Sequence, residues 1–219
     1  MRLRFNKNAK SFLDNNPNYY LNTSDNEQIN LPSLFNNSNP IYLEIGCGKG
    51  NFIIENAKQN PNINYIGFEK NETILMKAIN KVLENNLPNL KFIGNDANNI
   101  DLLFANNSIS KIFLNFSDPW PKARHTKRRL THPSFLTKFQ KILVPNGNIE
   151  LKTDNDGLFT YTYDEVLSVD QDKYDILYCT KNLYENLNDD INKSNIPTEY
   201  ETKFHNLGKN IYKIIFKFK

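Results

Sequence analysis

Cysteine is scarce in this sequence, and long apolar runs are missing from it. The two cysteines, Cys47 and Cys179, form neither a metal-binding spacing nor a disulfide framework. The longest apolar runs have strand length, far short of a membrane span. The beginning, MRLRFNKNAKSFLDNN, lacks the continuous apolar core of a secretory signal. We therefore expect a protein of the reducing cytoplasm with no metal site and no membrane partner.

Flexible linkers and internal repeats are missing as well. The 219 residues therefore favour one large α/β domain over two small ones, and the chain is long enough to bury a sizeable core. Residues 1–39 are polar and rich in Asn, with weak helical stretches near Ala9 to Leu13 and Gln28 to Phe35. We expect residues 1–39 to be an N-terminal extension that packs on or flanks a domain formed by residues 40–219.

Acidic residues are missing from Pro119 through Ile149. This segment carries +7, whereas the whole chain carries only +3, so the other 188 residues sum to −4. Such an asymmetry steers polyanions, and nucleic acid is the natural partner. A solvated surface face is the alternative interpretation of any short basic run. The positive residues are Lys122, Arg124, Lys127, Arg128, Arg129, Lys138 and Lys141.

A carboxylate and a rigid aromatic residue precede this basic run, in the stretch SDPWPKARHTKRRL from Ser117 to Leu130. Asp118 follows the apolar run from Ile112 to Phe116, which predicts a buried strand with the carboxylate at its carboxyl end. In open α/β sheets, ligands bind at that edge. The prolines on either side of Trp120 fix φ and end the strand. Trp120 is either a core residue or a platform for stacking a base.

Strand, glycine loop and helix follow one another from Ile41 to Ile54, with the loop sequence GCGKG at Gly46–Gly50. Glycines allow positive φ, and the helix N-terminus offers free N–H groups to a polar ligand. Glu69 ends the next predicted strand, where its carboxylate can accept both hydroxyls of a ribose. A nicotinamide dinucleotide site requires a third glycine where Asn51 stands. A tight structural turn also remains open, whereas the spacing E-x-G-x-G-x-G resembles the first motif of class I methyltransferases.

Four carboxylates fall at successive predicted strand ends: Glu44, Glu69, Asp96 and Asp118. One sheet edge that collects four acids suits a cationic, hydroxyl-rich cofactor, and a sulfonium attached to adenosine is both. The pattern predicts seven strands in all, with amphipathic helices between them. They cover Ile41–Ile45, Ile63–Phe68, Leu90–Ile93, Ile112–Phe116, Asn148–Lys152, Tyr174–Cys179 and Ile211–Phe216.

Several motifs together resemble the bacterial tRNA (guanine-N7-)-methyltransferase family. They are the glycine loop, Gly67-Phe68-Glu69, the segment NFSDPWPK with RH and KRRL, and Pro197 to Glu201. The likeness spans roughly residues 40 to 219. The family commonly has Lys where Ala123 stands and often His where Thr126 stands. The resemblance implies a Rossmann-like class I methyltransferase fold, with a seven-stranded, mostly parallel sheet whose last strand is antiparallel and helices on both faces.

The resemblance also implies roles for residues. S-adenosylmethionine is the expected cofactor, with Glu44, Glu69, Asp96 and Asp118 in contact with it and Gly46, Gly48 and Gly50 forming the loop around it. Asp118 is the expected catalytic residue. The expected tRNA contacts are Lys122, Arg124, His125, Thr126, Lys127, Arg128, Arg129, Asp154, Thr198, Glu199, Tyr200 and Glu201.

The implied reaction is methyl transfer to N7 of a guanine in the variable loop of tRNA. N7 keeps an available lone pair, so the chain needs to position two reactants rather than remove a proton. Asp118 would accept from the Watson–Crick edge or face the purine as it becomes cationic. A non-catalytic RNA-binding protein and a methyltransferase for another base remain alternatives. The sequence does not determine whether the chain forms a homodimer.

Overall fold

An eight-stranded β-sheet organises the chain in the computed structural model, which describes residues 6–23 and 27–219. The strands are β1 (Tyr20–Leu21), β2 (Ile41–Ile45), β3 (Asn64–Phe68), β4 (Leu90–Ile93), β5 (Ile109–Asn115), β6 (Leu143–Thr153), β7 (Tyr174–Thr180) and β8 (Tyr212–Phe218). The α-helices are α1 (Ala9–Asp14), α2 (Leu31–Phe35), α3 (Asn51–Gln59), α4 (Glu72–Val82), α5 (Ile100–Leu103), α6 (Pro133–Ile142), α7 (Asp156–Thr160) and α8 (Glu199–Asn206). A π-helical segment, Tyr161–Leu167, continues α7, and a 3₁₀ helix spans Ala123–Arg128.

The sheet runs in the order β1-β4-β3-β2-β5-β6-β8-β7. All neighbours are parallel except that β8 is antiparallel to both β6 and β7. The chain first builds outward from β2 through β3 to β4, then crosses back to place β5 on the other side of β2. The order therefore reverses between β2 and β5, and a crevice at their carboxyl ends is where such sheets bind ligands.

Apolar side chains alternate along the central strands and supply one core on each face of the sheet. On β5, Ile112 and Leu114 pack in one cluster with α6, whereas Phe113 packs in the other with α3 and α4. Successive side chains of a strand point to opposite faces, so the helices must cover both. The described helices include none long and apolar enough to cross a bilayer.

The predicted strand count of seven was too low by one. All seven predicted strands are present, and the largest difference in bounds is that β6 begins at Leu143 rather than at the predicted Asn148. The additional strand, β1, comprises only Tyr20 and Leu21, which pair in parallel with Phe92 and Ile93 of β4. Two residues carry no readable alternation, so pairing with the edge of the sheet decides their conformation. Residues 1–5 and 24–26 of the predicted N-terminal extension lie outside the described residues.

Candidate active site

A cleft of about 1210 Å³ opens at the carboxyl ends of β2 and β5. Its walls come from the glycine loop Gly46–Gly50, the first part of α4, the end of β5 and the start of α8. Of the predicted site residues, the structure brings seven to this cleft: Glu44, Gly46, Gly48, Gly50, Thr198, Glu199 and Tyr200. Among the described residues, the lining does not include Glu69, Asp96 or Asp118.

The glycine loop leaves open space at Gly46 and Gly48, where side chains would otherwise stand. Gly48 has a φ of +56°, and a Cβ added there would meet nothing within 4 Å. Gly50 begins α3 with a φ of +75°, and its added Cβ would lie 3.0 Å from Cβ of Ala78. L-residues adopt this region only at a cost, so the path of the loop requires glycine. The loop can therefore approach a ligand with its backbone.

Two buried side-chain oxygens in the cleft wall have no hydrogen-bond partner within the described residues. Asn115 donates from Nδ2 to Oε1 of Glu44 at 2.9 Å, while Oε2 of Glu44 and Oδ1 of Asn115 remain unpaired. Burial raises the pKa of the Glu44 carboxyl to about 7; the Asn115 hydrogen bond and Lys152 act against this shift. Unpaired buried acceptors are costly, so this wall is suited to a ligand that brings N–H donors or positive charge.

Glu69 and Asp96 belong to turns beyond β3 and β4. Oε2 of Glu69 accepts from the backbone N–H of Gly48 at 3.2 Å, which ties this carboxylate to the glycine loop. Asp96 accepts from Lys70 at 2.6 Å and from the backbone N–H of Asn98 at 2.9 Å. Burial raises the pKa of Asp96, but these hydrogen bonds outweigh it and hold the pKa below its ordinary value. Both carboxylates therefore remain at the predicted sheet edge, on the β3 and β4 side of the cleft.

Phe116 turns the chain sharply at the end of β5. The predicted strand ended at Phe116, but β5 ends at Asn115 and Phe116 has a φ of +51°. A left-handed conformation is uncommon for a bulky residue and costs free energy. The turn carries Phe116 into the wall of the cleft and leaves Asp118, two residues later, exposed. Asp118 therefore does not point into the hydrophobic interior.

Arg129 fastens the loop that carries Asp118. Its guanidinium donates to the carbonyl oxygens of Pro119 at 3.0 Å and Trp120 at 3.2 Å, and lies 4.3 Å from the ring centroid of Tyr161. Trp120 is partly exposed, with the Arg128 guanidinium 4.9 Å from its ring centroid. Its ring also meets the His125 ring edge-on. Trp120 is thus packed by its own loop, and Arg129 holds that loop in shape.

We call residues Pro119 through Ile149 the basic segment, and its positive charges divide into two groups. Lys138 and Lys141 on α6 both pair with Asp101, at 2.7 and 3.1 Å. The exposed cations of the Ala123–Arg128 turn and its flank have no carboxylate partner within the described residues. The charge available to a polyanion is therefore carried by Lys122, Arg124, Lys127 and Arg128, with Arg129 partly buried beside them.

Thr198, Glu199 and Glu201 make three different contacts at the start of α8. Thr198 caps the helix, and its hydroxyl accepts from the backbone N–H of Glu201 at 2.9 Å. Glu199 pairs with Lys49 of the glycine loop at 2.7 Å. Glu201 is fully buried and pairs with the equally buried Lys152 of β6 at 2.6 Å. This pair fixes the helix start against the sheet.

Asp154 lies at the carboxyl end of β6 and accepts from Lys209 at 2.6 Å. The carboxylate is mostly buried, with a relative side-chain exposure of 15%. The structure therefore brings Asp154 to the same sheet edge as the cleft, in an ion pair that joins β6 to the chain after α8.

Several cleft residues were missing from the sequence prediction. Asn115 could have been found, because it is the polar residue that ends β5 and begins the NFSDPWPK segment. Asn6, Lys7 and Asn8 also line the cleft, and the backbone N–H of Asn6 donates to the Thr73 hydroxyl at 3.1 Å. No sequence signal marks these three residues. Within the described chain, no group of three or more His, Cys, Asp and Glu side chains is arranged to hold a metal.

Comparison with known proteins identifies close relatives in sequence. A family model described as "Putative methyltransferase" matches residues 38–214. The chain is 51% identical, over 100% of its length and 98% of the relative, to a protein of Ureaplasma parvum serovar 3 named tRNA (guanine-N(7)-)-methyltransferase. It is 46% identical to a protein of the same name from Mesoplasma florum, with 99% of each chain covered.

Solved structures share the architecture at low sequence identity. One is titled "Structure of an antibiotic related Methyltransferase", with a TM-score of 0.63, 15% identity, and coverage of 92% of this chain and 98% of the other. Another, a 16S rRNA methyltransferase named KamB, gives a TM-score of 0.60 at 14% identity, with 86% and 93% covered. The predicted Rossmann-like class I fold is confirmed, with eight strands in place of seven.

Proposed function

The chain belongs to the tRNA (guanine-N(7)-)-methyltransferase family, and we propose that its cleft and basic segment hold cofactor and tRNA for methyl transfer to a guanine of the variable loop. The enzyme uses S-adenosylmethionine to methylate N7 of guanine in tRNA. The observation that carries the proposal is the pair of unpaired buried acceptors, on Glu44 and Asn115, in the wall of the cleft. We place this reaction in the cytoplasm.

The residues of the cleft fit S-adenosylmethionine. When bound, this cofactor supplies an electrophilic methyl group on a sulfonium. Glu44 and Asn115 would accept from its ammonium group, and Gly46, Gly48 and Gly50 would let the backbone approach it. Glu69 would accept from ribose hydroxyls, since it already lies against the loop through the Gly48 amide. Asp96, which follows β4, would also contact the cofactor.

Asp118 is the proposed catalytic residue. Its carboxylate is exposed and has no ion-pair partner within residues 6–23 and 27–219, so it is available to the incoming base. A carboxylate accepts only, which matches the N–H donors on the Watson–Crick edge of guanine. It can also stabilise the positive charge that the purine gains on methylation. The guanine N7 needs no base, because its lone pair is free.

The unpaired cations of the basic segment are the proposed tRNA contacts. Lys122, Arg124, Lys127 and Arg128 would bind phosphates, which positions RNA without reading its sequence. His125 and Thr126 lie within the same turn, and the Thr126 hydroxyl donates to the carbonyl of Ala123 at 2.8 Å. In this proposal Arg129 acts mainly by fixing the loop between Asp118 and the basic turn.

The remaining proposed substrate residues lie across the cleft on β6 and α8. Thr198, Glu199 and Tyr200 face the cleft and can meet the base or its ribose. Glu201 is fully enclosed, so we assign it to holding that segment in place rather than to direct contact. Asp154 would contact tRNA only by exchanging its Lys209 partner for a group of the substrate.

Methylation of unmodified tRNA tests the proposal directly. The purified protein is incubated with labelled S-adenosylmethionine and a tRNA transcript, and the product is digested and analysed for 7-methylguanosine. We expect this nucleoside in the variable loop, and Asp118→Asn to lower kcat roughly 100-fold. Full activity of Asp118→Asn with unchanged affinity for tRNA would refute the role assigned to Asp118. Methylation at another atom or base would refute the assignment of the substrate.

A further inference from the structure

Three aromatic rings lie nearly parallel at the mouth of the cleft. The rings of Phe116 and Tyr200 have centroids 6.4 Å apart at an interplanar angle of 25°, and those of Phe116 and Phe204 are 6.2 Å apart at the same angle. Tyr200 and Phe204 are 6.0 Å apart at 19°. We call these three residues the aromatic platform. Phe116 and Tyr200 also line the cleft.

The exposure of the platform is unusual for an apolar cluster. Tyr200 has a relative exposure of 56%, and its ring stands at the edge of the cleft rather than in a core. Phe116 and Phe204 are partly exposed. Packing of the fold alone would bury such rings, because each large aromatic gains free energy from leaving water. Exposed, nearly parallel rings suit a ligand that is itself flat and aromatic.

Costly structural features hold the platform in place. Phe116 keeps a left-handed backbone while its N–H donates to the carbonyl of Lys152 at 2.8 Å. Lys152 in turn forms the fully buried ion pair with Glu201, one residue after Tyr200. A strained residue and a desolvated ion pair persist only where the surroundings enforce them. Both converge on the two rings that border the cleft.

The order of the strands separates the predicted site for the adenosine of the cofactor from the aromatic platform. Glu69 and Asp96 follow β3 and β4, on one side of β2, and are placed to receive the adenosine end of the cofactor. Phe116 follows β5, on the opposite side of β2, and Asp118 lies two residues beyond it. The platform therefore stands on the opposite side of β2 from the predicted ribose site, on the side that carries Asp118.

We infer that the aromatic platform stacks the target guanine and that Tyr200 is the residue in direct contact with the base. This inference rests on the proposed function and adds how the base is held. An enzyme that acts on a base within folded RNA must extract it and hold it by stacking and by its edge. Tyr200 would supply the stacking surface while Asp118 contacts the edge. The attraction between the Tyr200 ring and the guanine also increases when methylation makes the guanine cationic.

Substitution of Tyr200 tests the inference without disturbing the core. Tyr200→Ala removes the ring, Tyr200→Phe keeps it, and Leu207→Ala serves as a matched control, because Leu207 is 67% exposed just after the same helix. Kinetics are measured with a tRNA transcript. We expect Tyr200→Ala to lower kcat/KM about 10- to 100-fold, and Tyr200→Phe and Leu207→Ala to stay within about threefold of the unaltered enzyme. Urea unfolding of each variant checks that the fold is retained.

Binding measurements separate stacking of guanine from stacking of the cofactor. Calorimetric titration with S-adenosylhomocysteine should give the same Kd for Tyr200→Ala and the unaltered protein. Filter binding of tRNA should change less than kcat/KM does, because phosphate contacts dominate affinity.

Three results would overturn the inference while leaving the proposed function intact. They are unaltered kcat/KM in Tyr200→Ala, a loss in Tyr200→Phe as large as that in Tyr200→Ala, or a weakened Kd for S-adenosylhomocysteine. Failure of the unaltered protein to form 7-methylguanosine would instead refute the proposed function.

Discussion

Replacement of Glu44 by Gln should stabilise the protein without its cofactor while impairing cofactor binding. Glu44 is buried in the cleft wall, and desolvation raises its pKa to about 7 from an ordinary value of 4.5. The Asn115 hydrogen bond and Lys152 favour the charged form, and Glu69 opposes it. The carboxylate therefore becomes charged near neutral pH in a site that resists the charge. Gln can still accept from Asn115 and carries no charge at any pH.

The sign of the effect follows from proton linkage. A raised pKa in the folded state means that the folded protein binds a proton more tightly than the unfolded chain does. Stability from this group is therefore complete below about pH 4.5, falls as the pH rises through about 7, and is constant at higher pH. The separation between 4.5 and about 7 corresponds to about 3 kcal/mol of unfolding free energy. Glu44→Gln does not suffer this loss.

Urea unfolding of the cofactor-free protein at pH 5 and pH 8 measures the effect. The difference in unfolding free energy between Glu44→Gln and the unaltered protein should be more favourable to the variant at pH 8 by about 2 to 3 kcal/mol. Comparing two pH values cancels pH-independent costs, such as a buried amide without a partner. Equal differences at both pH values would show that Glu44 does not titrate in this range and would refute the reasoning.

The charge of Glu44, which lowers stability without the cofactor, should raise the affinity for the cofactor. A positively charged ligand should favour the charged form of Glu44, so affinity for S-adenosylhomocysteine, whose ammonium is retained, should rise between pH 6 and pH 8. Glu44→Gln should bind more weakly and lose this pH dependence. A variant that kept the affinity and its pH dependence would remove Glu44 from the cofactor site.

Two further variants test the buried ion pair and the basic segment. Lys152→Met should cost about 3 to 5 kcal/mol of unfolding free energy by urea titration, because it leaves Glu201 buried and uncompensated; adding Glu201→Gln should recover much of this loss. Arg128→Ala should weaken tRNA binding and lower the slope of log affinity against log salt by about 1, whereas Lys141→Ala, whose charge is paired with Asp101, should leave the slope unchanged. A slope unaltered in Arg128→Ala would show that this residue makes no phosphate contact.

The strands and the positions of the glycine loop and of the carboxylates in the proposed cofactor site could be predicted from the sequence, because short-range rules govern them. Mostly apolar runs such as Ile41–Ile45 are typical of strands buried on both faces, and a glycine loop after such a strand allows the backbone to approach a ligand closely. The carboxylates Glu44, near the carboxyl end of β2, and Glu69, directly after β3, were placed at one edge because the carboxyl ends of parallel strands meet there. These predictions needed only the neighbours of each residue along the chain.

The contacts that shape the substrate side depend on residues far apart in the sequence. Glu201 was predicted to bind substrate, but its partner Lys152 lies 49 positions earlier, on a different element. Arg129 was counted as an RNA-binding cation, yet its hydrogen bonds go to the backbone of its own loop. The left-handed turn at Phe116 breaks a run that reads as continuous strand. No local propensity reveals these features, because tertiary contacts enforce them.

The distribution of charge explains why the turn at Ala123–Arg128 is suited to bind a polyanion. Elsewhere in the described chain, surface cations commonly lie against carboxylates, as Lys138 and Lys141 do against Asp101. The segment from Pro119 to Ile149 contains no acid of its own, so the cations at Lys122–Arg128 repel one another in the free protein. Binding of phosphates relieves this repulsion and releases counterions, so affinity must fall steeply with salt. The same loop carries Asp118, so charge attraction would bring RNA close to this carboxylate, which we propose as the contact of the base.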